Sequence, residues 1–280
     1  MATNDVGPKA PRVAAKAELS ALGRSGAGRQ PALAAYVLHR YDWSETSLIV
    51  ELFTRPQGRI VVAAKGAKRP TSQLRAVLLP FQPLLAQLGK TPADEHGEVL
   101  NLRGAEWAGG QPLLGAAAMF SGFYLNELLM KLLARQDPHA VLFDAYADTL
   151  ATLAQGPAAE AAALRAFELV LLRELGWLPE LNSATLTAQA LQADALYTLR
   201  PEAGVIAHAE GLPGSIWVAV EAALAYQAQG GTGAALRAAI APVASALRVP
   251  LRNLLHYHLG PAPLRTRQVW QGVQRLAGTR

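Results

Sequence analysis

Between Thr46 and Pro70 the chain twice alternates apolar with polar or outward positions: Leu48, Val50 and Leu52, then Ile60, Val62 and Ala64. A period of two marks half-buried strands. Between the runs, Pro56-Gln57-Gly58 supplies a fixed φ and then a residue tolerant of positive φ, which predicts a turn. Three more strands are predicted near Ala35 to Tyr41, Phe81 to Leu88 and Glu98 to Arg103, separated by Asp42, by Pro70-Thr71 and by Gly89 to Gly97. Five short strands with no helix of any length predict a small closed barrel. An OB-like fold leads, and an SH3-like barrel is the alternative that the same count suits.

From about Pro112 the period becomes helical, with Leu113, Leu114, Ala117, Phe120, Tyr124, Leu125, Leu128, Leu129 and Leu132 at three- and four-residue steps. Residues 107–126 carry no charge, but their Gly, Pro, Gln, Ser and Asn favour a buried helix over a membrane span. Further helices are predicted over Ala140 to Leu153, Ala158 to Leu175 (ended by Gly176), Ser215 to Gln229, Ala234 to Leu247, Leu251 to His258 and Thr266 to Leu276. Residues 181–213 are rich in Thr, Gln and Gly and read as an irregular insert, with weak strand signals at Ala195 to Leu199 and Val205 to His208. The expected class is α+β and multidomain: a disordered basic arm over residues 1–30, an OB-fold barrel over 31–107, and a helical domain over 108–280 holding the insert.

An apolar fraction of 51% with 17% charge fits a packed protein. The chain has no cysteine, which removes disulfides, thiolate zinc sites and cysteine nucleophiles and fits a reducing, cytoplasmic compartment. No apolar core follows the first basic residues, which argues against secretion. The net charge of +5 is unevenly spread: residues 1–30 and 31–104 each carry +3, 105–180 carry −5, 181–220 carry −2, and 221–280 carry +6. Basic ends around an acidic middle fit nucleic-acid contact by two separated surfaces, or ordinary solvated faces.

Catalytic chemistry is nearly absent from the pattern. There is no Walker loop, no H-E-x-x-H and no EF-hand loop. Gly23-Arg24-Ser25-Gly26-Ala27-Gly28 follows no strand, and Gly231-Thr232-Gly233 follows a helix, so neither fits a phosphate or dinucleotide loop. His256 and His258, two apart on a helix, do not share a face, and Asp144 and Asp148 read as a solvated stripe. The expectation is a binding protein, not an enzyme, with no metal and no cofactor. What does stand out is the crowding of Lys65, Lys68 and Arg69 around Gly66 before Pro70, a basic loop at the mouth of a β structure. These three are the expected phosphate contacts, with Arg40, Arg59 and Arg75 secondary and Arg265 and Arg267 a second basic surface. Trp43, beside a turn, could stack on a base, although core or rim packing is the simpler reading.

Trp43-Ser44-Glu45-Thr46-Ser47-Leu48, Phe53-Thr54, Gly58-Arg59, Lys65-Gly66-Ala67-Lys68-Arg69 and Pro80-Phe81 resemble the N-terminal part of the RecO family of bacterial recombination mediators. Phe123-Tyr124-Leu125-Asn126-Glu127-Leu128-Leu129, Leu164-Arg165-Ala166-Phe167-Glu168, Leu171-Leu172-Arg173-Glu174-Leu175-Gly176 and the closing Leu259-Gly260 with Pro263-Leu264-Arg265-Thr266-Arg267 agree, in the same order. The resemblance implies an OB-fold domain followed by a helical domain, in a protein that binds single- and double-stranded DNA and anneals complementary strands. It further implies that, with RecR, the protein helps load RecA onto strands coated by single-strand-binding protein (SSB). Arg165 matches a position that the resemblance associates with the acidic C-terminal tail of SSB. Many members place four cysteines where this chain has residues 181–213 with Ser183 and Thr185 instead, so the insert is expected to be zinc-free. The alternative, from another class, is a helical scaffold for other proteins whose barrel does not bind DNA.

Overall fold

The computed structural model describes residues 31–94, 98–110, 112–261 and 263–277; the arm expected over residues 1–30 lies outside them. Five strands, β1 (Leu33–Asp42), β2 (Leu48–Thr54), β3 (Gly58–Ala64), β4 (Leu84–Pro92) and β5 (Val99–Trp107), close into a barrel in the order β1-β2-β3-β5-β4. β3 and β5 run parallel, and β4 returns antiparallel to β1. This is the OB arrangement, and it removes the SH3-like alternative. The alternation falls as expected, because Val50, Leu52, Ile60, Val62 and Ala64 fill the interior with Val37, Leu84, Ala86 and Leu102.

The short helix α1 (Gln73–Val77) was not expected. Five residues are too few to show a helical period, and only tertiary packing holds them: Leu74 and Val77 lie against the barrel core. β4 starts later than expected, at Leu84, because Phe81 takes a φ of 66° and directs its ring outward instead of along a strand. That ring fits over Gly122, where an added Cβ would meet it at 2.8 Å, and packs edge-on against Phe123 at 4.9 Å. At the β2–β3 turn Gly58 has a φ of 65°, and a Cβ there would lie 1.8 Å from the Asp137 carbonyl oxygen. Only glycine permits both the turn and that close approach.

The helices are α2 (Ala116–Leu132), α3 (Ala140–Leu153), α4 (Glu160–Glu174), α5 (Gly214–Ala228), α6 (Gly233–Ile240), α7 (Ala244–Leu259) and α8 (Arg265–Ala277). The expected break before Leu251 lies instead at the turn Ala241–Val243, and Pro250 sits inside α7. The carbonyl that loses its partner belongs to Ala246, on the exposed side, where water can serve it. Gly233–Leu259 is long and apolar enough by composition to cross a bilayer. It is broken at that turn, and it buries Leu236, Ile240, Leu247, Leu251, Leu254 and Leu255 in the bundle. The insert is more ordered than its composition suggests: β6 (Ser183–Ala184) pairs with β7 (Gln189–Ala190), and β8 (Leu196–Arg200) pairs with both β9 (Gly204–Ala207) and β10 (Leu212–Pro213). Thr185 joins the two sheets without metal, donating its N–H to the Val205 carbonyl (3.0 Å) and accepting the Val205 N–H at its hydroxyl (2.9 Å).

Barrel and bundle share one apolar core. Tyr36, Leu38 and Phe53, on the outer wall of β1 and β2, pack with Leu125, Leu129, Phe143 and Tyr146. The Tyr36 ring lies 5.1 Å from Tyr146 and 5.5 Å from Phe143, and Phe53 lies 5.4 Å from Phe143. At its centre β1 bulges between Val37 and His39. The Asn126 amide donates to the carbonyls of Leu38 (2.9 Å) and Val37 (3.4 Å), while its oxygen accepts the Tyr146 hydroxyl at 2.6 Å. Asn126→Ala therefore removes the group that the two carbonyls and the Tyr146 hydroxyl share, and is expected to cost about 3 kcal/mol, with Tyr146→Phe costing about 1 kcal/mol, read as shifts of the urea midpoint at constant slope.

Candidate nucleic-acid interface

The loop after β3 is a chain of tight turns. Ala67 N–H bonds to Ala64, Arg69 N–H to Gly66 and Ser72 N–H to Arg69, and Gly66 holds a φ of 73°. The Ala67 methyl is fully buried in the barrel end, so the residues around it face outward: Lys65 and Arg69 are exposed and Lys68 is half-buried. Three hydrogen bonds and an ion pair join this loop to the end of β1 and the β1–β2 loop. Lys68 N–H reaches Thr46 O (2.9 Å), Gly66 N–H reaches Ser47 Oγ (3.3 Å), and Lys68 Nζ reaches Ser44 O (3.0 Å) and Asp42 Oδ1 (3.1 Å). The two loops thus form one rim that presents cations without having to fold first.

The other expected contacts divide. Arg75 is exposed on α1, directly after the loop, and Arg40 is exposed at the end of β1 with its guanidinium donating to Leu78 O (3.0 Å). Lys65, Arg69 and Arg75 form no ion pair with any described residue. Arg59 is not brought to this rim. Its side chain is only 14% exposed and lies between barrel and bundle, 3.6 Å from Glu51 and 4.0 Å from Met130 Sδ. Glu51, outward on β2 yet 2% exposed, also receives Arg135 at 2.9 Å. Asp144 and Asp148, expected as a solvated stripe, instead make ion pairs: Asp144 takes Arg55 of the barrel at 2.9 and 3.1 Å, and Asp148 takes Arg237 of α6.

Arg265 is exposed at the start of α8, and Arg267 stands two positions on, its side chain outside the described residues. Glu127 of α2 caps this helix from across the bundle, accepting the N–H groups of Arg265 (2.8 Å) and Thr266 (2.9 Å) and the Thr266 hydroxyl (2.7 Å). Burial alone would raise the Glu127 carboxyl, but these bonds and nearby Lys131 outweigh it and hold the group below its ordinary value. Sequence reasoning missed this residue, since a cap supplied by a distant helix leaves no local spacing to detect.

Arg165 lies on α4 with 11% of its side chain exposed, paired with Glu168 at 2.5 Å. Tyr124 donates its hydroxyl to the same carboxylate oxygen at 2.7 Å, and the second Glu168 oxygen and Arg165 Nε are buried without a hydrogen-bond partner. Burial, the largest influence, raises the Glu168 carboxyl despite Arg165, Tyr124 and Arg248 beside it. Glu160, at the start of the same helix, accepts the Ser121 hydroxyl instead.

The fold and rim define an OB-type barrel protein with an appended helical bundle. Residues 32–108 match the family described as Recombination protein O N terminal, and residues 116–268 match Recombination protein O C terminal. Curated proteins named DNA repair protein RecO are similar over most of the chain. The one from Variovorax paradoxus is 51% identical, that from Acidovorax ebreus 50%, and that from Delftia acidovorans 49%, each covering 86% of this chain and 96% of the relative. The chain belongs to the RecO family of DNA repair and recombination mediators.

The depressed Glu127 carboxyl sets a pH dependence. Its contribution is complete above the ordinary carboxylate range and is lost as pH falls through the lower folded-state value. Acid should loosen α8 before the barrel, and Glu127→Gln should do so at neutral pH by about 2 kcal/mol, read as faster amide hydrogen exchange confined to α8 and the facing side of α2.

Proposed function

We propose that this chain binds single- and double-stranded DNA along the barrel rim, anneals complementary strands, and with RecR helps load RecA onto SSB-coated single strands in the cytoplasm. The observation that carries the reading is the joined pair of loops, in which half-buried Lys68 ties the loops together and Lys65 and Arg69 are exposed at one end of the barrel. Arg40 and Arg75 extend that cation field, and Arg265 and Arg267 begin a second one on α8. Fixed cations replace the counterions condensed on phosphates, giving affinity that falls steeply with salt and carries little sequence preference. Such a grip on the backbone leaves base edges free to find their complement.

The acidic tail of SSB is assigned to Arg165. A carboxylate arriving there must displace Glu168 from the guanidinium, and the burial that disfavours a charged Glu168 makes that exchange easier.

Changing Lys65, Lys68 and Arg69 together to Ala should cut DNA affinity at least tenfold at moderate salt. It should also flatten the salt dependence by about 0.7 in log–log slope per lost phosphate contact, read by fluorescence anisotropy of a labelled single strand. A folded triple variant with the parent's slope rules out this loop. For the tail, Arg165→Ala combined with Glu168→Gln, so that no charge is left buried alone, should weaken binding of an acidic tail peptide about tenfold with DNA affinity unchanged. The reverse pattern rejects the assignment and favours a DNA role for the bundle.

A further inference from the structure

β1 outruns the barrel core: its last four residues, His39–Asp42, are all exposed. Two of them carry rings, and the His39 and Tyr41 rings meet edge-on at 4.4 Å. Trp43 occupies the next alternate position, where the strand ends. Tyr41 is 44% exposed and Trp43 51% exposed, so one strand end leaves two large aromatic rings together in water.

The backbone that carries these rings is held in place. The Trp43 N–H bonds to Ser47 O at 3.2 Å, and the flanking Asp42 and Ser44 both hold Lys68, a member of the basic loop. The rings and the cations therefore sit on one rigid rim. Aromatic faces and cations on one rim match one chemistry: a polyanion whose repeating unit also carries a flat π-system. Every nucleobase offers such a face, and stacking on it is indifferent to sequence. In a duplex those faces are covered by neighbouring pairs; in a single strand they are free.

We propose that Tyr41 and Trp43, buttressed by His39, form a base-stacking platform that makes the rim prefer single-stranded over double-stranded nucleic acid. This rests on the phosphate-binding reading of the same rim and adds to it the source of strand selectivity. A base held by its face keeps its pairing edge exposed, so the platform is compatible with annealing, whereas a pocket reading the edge would block it.

The test compares three labelled probes on the full chain: a mixed-sequence single strand, a strand of equal length made only of abasic sites, and a duplex. The double variant Tyr41→Ala with Trp43→Ala should lose about tenfold or more in affinity for the base-bearing single strand. Its salt slope, abasic-strand affinity and duplex affinity should match the parent's, and Trp43→Phe alone should retain most of the single-strand affinity. Unchanged single-strand affinity in the double variant, or an equal loss on all three probes, overturns the platform. The two readings fail differently: a parent that ignores the abasic strand but holds the base-bearing one defeats the phosphate loop and keeps the rings. A parent that binds both strands equally defeats the rings and keeps the loop.

Discussion

The capture of the β1 bulge by Asn126 is the interaction on which the rest depends. Before the bulge, Tyr36 faces the bundle and Val37 the barrel interior. After it, Arg40 stands opposite Val50 and Tyr41 opposite Ile49, with Leu38 the extra residue. An unbulged strand would reverse that parity, placing His39 and Tyr41 on the interior side and Arg40 outside. The inserted residue thus allows Tyr41, three residues after Leu38, to reach the surface. At the bulge the Asn126 amide donates to the carbonyls of Val37 and Leu38 from across the domain boundary. Tyr146, packed edge-on against Tyr36 and bonded to Asn126, fixes the orientation of that amide.

This joint follows from a second property of β1 and β2. Apart from Glu51, whose charge Arg59 and Arg135 meet, both are apolar on the two faces of the wall, so neither can stand in water on one side. The bundle covers the outer face along Tyr36, Leu38 and Phe53, and it leaves clear the barrel end where β1 overruns the core and the loop after β3 turns back. The position of the cation field is in part set by where the bundle is not.

Strand periodicity and the turn at Gly58 were readable in the chain because they are local, and so were most helices, since their apolar stripes run for several turns. The basic loop was readable as well, because three cations in five residues need no partner to be noticed. Hidden from such reading were the features made by distant residues meeting: the Asn126 bulge clamp, the cap that Glu127 gives α8, and the removal of Arg59 from the surface by Glu51. A lone Asn in a helix and a lone Glu in a strand look solvated until the fold shows what covers them. Pro250 misled for a related reason, since a proline's cost within a helix depends on whether water reaches the freed carbonyl, and that is a tertiary fact.

The regional charge imbalance also changes meaning once the elements are in place. An acidic middle between basic ends suggested two outward-facing surfaces, but part of that imbalance is internal. Asp144 of the acidic region neutralises Arg55 of the barrel, and Asp148 neutralises Arg237 of the basic C-terminal region. Exposed pairs of this kind contribute little stability each, yet they pair cations that would otherwise compete for phosphate along the whole barrel. Lys65, Arg69 and Arg75 stay outside these pairs and stand within eleven residues of one another, beside the exposed rings of Tyr41 and Trp43. A cluster of cations beside exposed rings is what the proposed grip on a single flexible strand requires.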